Sequence, residues 1–150
     1  MGPTKLHLIA VLPDEQSQDT ALVRGSLSNV NVAGFFRAGY QNAASSMIIA
    51  SQRDHSRTIV SHGGDLPDVT CEEFVSKFCA TVPDAGEKTW VHFEGREVGV
   101  TNACVKALRD IEDRKCMISI ELEKPDRGGL ICAAVMADVV FYSRLWAQVS

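Results

Sequence analysis

The sequence has no long hydrophobic run, no zinc-type cysteine spacing and no excess of positive charge. No window approaches 18 consecutive apolar residues, and the start of the chain has no charged segment leading into an apolar run. Neither a transmembrane helix nor a signal peptide is therefore expected. The formal net charge of −4 gives no electrostatic footprint for nucleic acid. These absences predict a cytoplasmic protein that binds neither membranes nor nucleic acid.

The five cysteines show no pattern for pairing or for metal binding. They are odd in number, with no C-x-x-C pair and no His pair at a zinc-ligand spacing. Most lie inside apolar runs, where cysteine commonly serves as a small buried hydrophobic residue. We therefore expect reduced thiols and burial of Cys79, Cys104, Cys116 and Cys132.

What is present is a globular composition, with 45% apolar and 23% charged residues in 150 positions, enough for a real core. Residues 1–40 are the hardest to interpret, and only a strand at 6–12 is predicted there, followed by loop or weak helix. Two β-branched runs, S-S-M-I-I-A and R-T-I-V-S, then flank a polar segment. This pattern predicts a β-hairpin between residues 45 and 61.

The rest of the chain alternates between helical and strand patterns. Thr70 and Glu73 have the spacing of a capping box, which predicts a helix at 71–80. Further helices are predicted at 102–111, capped by Thr101, and at 128–136, with strands at 90–93, 116–122 and 139–142. This alternation is typical of an α/β fold with a parallel βαβαβ sheet. We divide the chain into an unassigned segment at 1–40, a hairpin at 41–62 and an α/β domain at 63–150.

Charged side chains follow each of the three predicted strands. Right-handed crossovers make the strands parallel, so these positions gather at the carboxyl edge of the sheet, where open α/β sheets bind ligands. Arg96, Lys124 and Arg144 would then surround one site for an anion such as a nucleotide phosphate. Charges of this kind are also ordinary in solvated loops. No G-x-G-x-x-G string follows a strand, which disfavours a Rossmann-type dinucleotide binder.

Five strings carry a resemblance to one family: H-S-R-T-I at 55–59, D-L-P-D-V at 65–69, W-V-H-F-E-G-R at 90–96, I-S-I-E-L-E-K-P at 118–125 and A-D-V-V-F-Y-S at 137–143. In order and spacing they resemble the ketohexokinase-like branch of the ribokinase (PfkB) sugar kinases, most closely the fungal and plant members. The resemblance covers residues 41–148, which correspond to a central fragment of such a kinase.

The resemblance implies a large α/β domain with a small β-sheet lid, using ATP and Mg²⁺ to phosphorylate a sugar hydroxyl. The hairpin would belong to the lid, which in ketohexokinases also clasps a second subunit, so a homodimer is implied. Arg57 matches a lid arginine that contacts ATP, and Lys124, Ser143 and Arg144 match positions near the phosphates and the metal. Arg57 is also interpretable as an exposed hairpin charge. Arg96 is interpretable as a brace that pairs with Glu94.

Two motifs that the family needs are not in the sequence. No Gly-Gly-Asn string, which binds the sugar, lies upstream of the hairpin, and no Gly-Ala-Gly-Asp string supplies the catalytic base and anion hole. Residues 84–87 are expected to form a surface turn. We therefore assign no catalytic residue and expect the chain to be inactive as it stands. The alternative is a non-catalytic α/β binding or dimerisation module. In either case an exposed apolar hairpin edge is expected around residues 47–49.

Overall fold

The structure is a computed structural model that describes residues 5–82, 88–111 and 116–149. The chain divides into two compact units, Met1–Val69 and Thr70–Ser150. The surface turn predicted at 84–87 lies outside the described residues. In the described ranges, no helix is long and apolar enough to cross a membrane.

The first unit begins with a β-α-β element. The strands β1 (His7–Leu12) and β2 (Asn31–Phe36) pair in parallel and are joined by helix α1 (Gln18–Ser26). Ser17 caps the helix by accepting a hydrogen bond from the Thr20 backbone N–H at 3.1 Å. The predicted first strand is confirmed, whereas the sequence prediction missed β2 and left the helix undecided.

The hairpin of the first unit consists of β3 (Ser45–Ala50) and β4 (Arg57–His62), paired antiparallel as predicted. Every residue of both strands is exposed, and Met47 retains 70% of its accessible surface. The predicted exposure of the apolar edge is thus confirmed. A two-stranded hairpin by itself is only marginally stable in water, so this exposure lowers the stability of the first unit.

The second unit contains a three-stranded parallel sheet with helices. Its elements in chain order are α2 (Cys71–Thr81), β5 (Thr89–Phe93), α3 (Val98–Asp110), β6 (Cys116–Leu122), a 3₁₀ helix (Pro125–Leu130), α4 (Ile131–Met136), β7 (Val139–Tyr142) and α5 (Arg144–Val149). The strand order is β5-β6-β7, and both pairings are parallel. The predicted α/β class, with a parallel βαβαβ sheet preceded by a hairpin, is confirmed.

The core of the second unit lies between the central strand and the helices. Ile118 and Ile120 of β6 are fully buried, as are Val105 and Leu108 of α3. The capping box that begins α2 forms as predicted, because Thr70 and the helix residue Glu73 each bond the other's backbone N–H.

Helix α3 begins four residues earlier than its predicted start. Its N-cap is Glu97, which makes no capping hydrogen bond, and the expected cap Thr101 is buried inside the helix. Within the helix, Asn102 bonds a distant segment: its Nδ2 donates to the Gly129 carbonyl and its Oδ1 accepts from the Ala133 N–H, both at 3.0 Å. These tertiary bonds hold the first half of the helix against the segment after β6.

The helix predicted at 128–136 is divided in the structure. A 3₁₀ helix starts at Pro125, and the α-helical part α4 begins only at Ile131. Arg127 lies in a non-helical conformation (φ −94°, ψ 39°) that interrupts the first part. Proline suits the first turn of a helix, because its missing N–H would have no intrahelical partner there.

The predicted burial of the cysteines is correct at two positions and wrong at two. Cys104 and Cys116 are buried, but Cys79 and Cys132 are exposed, and none of the five forms a disulfide. Cys79 comes one residue after the buried Phe78, which rotates it by about 100° away from the buried face of the helix. In a helix, a residue that is adjacent in sequence to a buried apolar residue can therefore be exposed.

An ion-paired network joins the amino ends of β6 and β7. Arg109 donates to Asp138 Oδ2 at 2.8 Å, to the Met136 carbonyl at 2.9 Å and to the Cys116 carbonyl at 3.2 Å. The same Asp138 oxygen accepts from the Ile118 N–H at 2.7 Å. This backbone bond, followed by the Arg109 side chain, lowers the pKa of Asp138 below its usual value.

A buried hydroxyl links β6 to β5 on the opposite face of the sheet from the buried isoleucines. The Ser119 Oγ accepts from Trp90 Nε1 at 2.7 Å and lies 2.9 Å from His92 Nδ1. Two side chains of β5 therefore meet the same hydroxyl of β6.

Candidate functional site

The carboxyl edge of the parallel sheet carries the predicted cations. Arg96 follows β5, Lys124 follows β6 and Arg144 follows β7, and the three strands are parallel neighbours. The prediction that the three residues share one edge of the sheet is confirmed. Ligands of open α/β sheets bind at this type of edge.

The loop after β5 is fixed by a glycine that no other residue replaces easily. Gly95 is buried, with φ +65°, and an added Cβ would lie 2.7 Å from the Glu121 carbonyl oxygen and 2.8 Å from Leu130 Cδ1. Arg127 also donates to the Gly95 carbonyl at 3.3 Å. The loop is thus wedged between β6 and the 3₁₀ helix, which gives the edge a rigid side.

Arg96 pairs with Glu94 across this glycine, as expected for a brace. The Nε to Oε2 distance is 2.6 Å, while the two side chains are 75% and 63% exposed. An ion pair in such exposure contributes at most about 1 kcal/mol to stability. Its effect on the edge is electrostatic, because Glu94 offsets much of the positive charge that Arg96 would offer to an anion.

Ser143 connects the loops that follow β6 and β7. Its N–H donates to the Leu122 carbonyl at 3.0 Å, and its hydroxyl donates to the Glu123 carbonyl while accepting from the Trp146 N–H at 3.1 Å. Both roles of the hydroxyl are therefore used within the chain. Ser143 positions the backbone beside Lys124 and Arg144.

Lys124 and Arg144 are the two cations that the edge leaves available. Both are exposed, and in the described part of the chain neither head group forms an ion pair. Each lies two residues after the last residue of a strand, so each side chain starts from a fixed backbone position. Two such cations can attract a phosphate by long-range charge and by direct hydrogen bonds.

Arg57 belongs to the first unit, whereas Lys124, Ser143 and Arg144 belong to the second. It is the first residue of β4, opposite Ala50, and it is exposed. Since side chains alternate along a strand, Arg57 shares its face of the hairpin with Ile59 and with Ile48 of the paired strand.

The sequence reasoning missed the role of Arg127, which lies one residue before the helix predicted at 128–136 and was given no function. The structure brings this half-buried arginine to the Gly95 carbonyl at the same edge. The available signal was its position five residues after Leu122, the last residue of β6, because the charged residues Glu123 and Lys124 already follow this strand. For a metal, no cluster of three His, Cys, Asp or Glu side chains is found within residues 5–82, 88–111 and 116–149.

No family model matches the chain. Similarity to known proteins is found by direct sequence comparison. The chain is 32% identical to ketohexokinase of Mus musculus over 107 residues, which are 66% of this chain and 33% of that protein. The chain thus spans about a third of the length of the curated relative that it matches. This similarity links it to a carbohydrate kinase.

Proposed function

We propose that the chain is a portion of an ATP-dependent sugar kinase of the ribokinase (PfkB) type, related to the ketohexokinases and acting in the cytoplasm. The observation that carries the proposal is its 32% identity to the mouse ketohexokinase over 107 residues. The parallel sheet with cations at its carboxyl edge supports the same conclusion, because a phosphotransferase needs an anion site at a fixed backbone position.

In this proposal the edge holds the phosphates of ATP. Lys124 and Arg144 supply positive charge, and Ser143 keeps their two loops together. Arg57 of the hairpin is proposed as an ATP contact only by its resemblance to the lid arginine of the family. The Mg²⁺ that accompanies ATP would supply further positive charge beside that of Lys124 and Arg144. Phosphoryl transfer depends mainly on positioning and on electrostatic stabilisation, and rigid loops with exposed cations serve both needs.

Nucleotide binding tests this assignment directly. Titration with a fluorescent ATP analogue should show binding that weakens roughly tenfold in Arg144→Ala and in Lys124→Ala, since each change removes a hydrogen bond between charged groups. Lys106→Ala removes an exposed lysine from the middle of α3 and serves as the matched control. Equal losses in all three variants, or none in Arg144→Ala, would contradict the proposed site.

We also expect the chain alone to show no ATP-dependent phosphorylation of fructose. The sequence has no Gly-Gly-Asn string to hold a sugar and no Gly-Ala-Gly-Asp string to supply a base and a helix N-terminus for the transferring phosphoryl group. A coupled assay of ADP release checks this expectation. A turnover of about 1 per second or more would show that other residues perform those roles.

The hairpin is the proposed dimer contact. Met47, Ile48 and Ile49 are all exposed, and burying them against a second copy would remove apolar surface from water. Ile48→Lys should raise the monomer fraction in analytical ultracentrifugation. The control Val135→Lys makes a similar change at an 81% exposed position on α4 and should leave the distribution as it is. A wild-type chain that is already monomeric at tens of micromolar would refute this contact.

The exposed hairpin also supports a second candidate, a non-catalytic α/β module that pairs with another chain. Addition of a strand to an exposed sheet edge is a common recognition mode. The two candidates differ in the ATP titration. Dimerisation through the hairpin without any nucleotide binding at the edge would favour the non-catalytic module.

A further inference from the structure

Two cysteines of the second unit lie on packed faces of neighbouring helices. Cys71 is the first residue of α2 and precedes the buried Phe74 and Phe78 by three and seven positions, which places all three on one helix face. Cys104 lies on the buried stripe of α3, next to Val105. Since α2 packs against α3, the two cysteines face the same helix interface.

The two thiols are neighbours at this interface. Burial, followed by the neighbouring Cys71 thiol, raises the pKa of Cys104 to about 12. Cys104 is only 2% exposed, whereas Cys71 is half-buried and accessible from the end of its helix. The pair therefore combines one reachable sulfur with one protected sulfur.

We propose that Cys71 and Cys104 are a redox modification site that forms a reversible intramolecular disulfide by exchange with a low-molecular-weight disulfide such as oxidised glutathione. The position of both cysteines at the interface of the packed helices α2 and α3 carries this inference. A disulfide forms without backbone movement where the two Cα atoms lie within about 7 Å of each other.

The exchange proceeds in two balanced steps. The Cys71 thiolate attacks one sulfur of oxidised glutathione, the S–S bond breaks, and one glutathione leaves as a thiolate that takes up the proton lost by Cys71. The Cys104 thiol then loses its proton and attacks the Cys71 sulfur of the mixed disulfide, which releases the second glutathione. Two protein thiols are oxidised and one small disulfide is reduced to two thiols. Cys71 reacts first because Cys104 is buried and holds its proton strongly.

A peptide map of the native protein tests the pairing. Trypsin cleaves after Arg57, Lys77, Arg96 and Lys106, so the peptides 58–77 and 97–106 each contain one cysteine. The native chain is incubated with oxidised glutathione, quenched in acid, alkylated and digested without reductant. We expect a linked species of these two peptides, and a melting temperature raised by about 10 °C that a reductant reverses.

Variants identify the order of attack. Cys104→Ser should stop at a glutathione adduct on Cys71, and Cys71→Ser should leave Cys104 unmodified. The control Cys132→Ser removes an exposed cysteine and should form the linked peptides as the wild type does. The wild-type map needs no variant to fold, and kinase activity is not among the measurements.

Three results would overturn the proposal. One is a native wild type in which glutathione remains on Cys71 without resolution by Cys104. Another is a linked species that appears only in denaturant. The third is a disulfide that lowers the melting temperature, because native packing would then hold the sulfurs away from bonding geometry.

Discussion

Replacing Gly95 with alanine should destabilise the second unit by about 3 kcal/mol, through backbone strain together with overpacking. Gly95 has φ +65°, which L side chains rarely adopt, and its added Cβ would lie 2.7 Å from the Glu121 carbonyl oxygen. A backbone atom of a central strand cannot move aside as a flexible side chain can. Relief of the contact would therefore separate the loop after β5 from β6.

Gly99→Ala is the matched control and should have the opposite sign. Gly99 lies in helix α3 with open space around its Cα, so alanine there should stabilise the unit by about 0.5 to 1 kcal/mol. Urea unfolding followed by tryptophan fluorescence measures both changes, because both tryptophans, Trp90 and Trp146, belong to the second unit. Equal midpoints for Gly95→Ala and the wild type would contradict the wedged loop.

Asp138→Ala should destabilise the second unit by about 2 to 3 kcal/mol. The change removes the acceptor of the Ile118 N–H and the partner of Arg109, which is held by two further carbonyls and cannot turn freely to solvent. Asp110→Ala is the control, because Asp110 is exposed at the C-terminal end of α3, where a negative charge is unfavourable. A loss in Asp110→Ala as large as that in Asp138→Ala would show that the network has no specific role.

The same carboxylate should make stability depend on pH. The pKa of Asp138 is lowered in the folded chain, so its contribution is fully present above the usual aspartate pKa and is lost as the pH falls through the folded-state pKa. The difference in unfolding free energy between the wild type and Asp138→Asn should therefore shrink on acidification. A difference that stays constant from neutral to strongly acidic pH would refute this linkage.

The sequence predicts those elements whose signals are local. The hairpin runs at Ser45–Ala50 and Arg57–His62 are β-branched and flank a polar loop, and the capping box of Thr70 and Glu73 marks a helix start. Such patterns depend on steric and hydrogen-bonding preferences of neighbouring residues. The direction of the three later strands then follows from the handedness of their crossovers.

Elements that depend on tertiary contacts are harder to predict. The first residues of α3 include glycine and valine, which are poor helix formers, so local preference does not indicate its start. The helix is also held by bonds of Asn102 to Gly129 and Ala133, which are distant in sequence. Helix α1 has little apolar periodicity and buries only Thr20 completely, so its signals were confined to its ends: the Ser17 cap, Asp19 in the first turn and Arg24 in the last.

The candidate site divides in the same way. The placement of Arg96, Lys124 and Arg144 at one edge follows from topology alone and was predicted. What the sequence could not predict is how the residues are engaged: Arg96 with Glu94, and Ser143 with the backbone of the neighbouring loop. These engagements depend on side-chain geometry, and they leave Lys124 and Arg144 as the cations on which the nucleotide proposal rests.

The Ser119 hydroxyl specifies which alignment of β5 against β6 is native. Trp90 and His92 are two residues apart on β5, and both reach the same oxygen. A shift of β5 by one residue would turn both side chains to the other face, and a shift by two would retain the face but separate one of them from the hydroxyl. Apolar pairs along these strands discriminate poorly between such alignments, because one aliphatic neighbour resembles the next. The contact of Trp90, His92 and Ser119 therefore favours a single register of β5 against β6 over near-native alternatives.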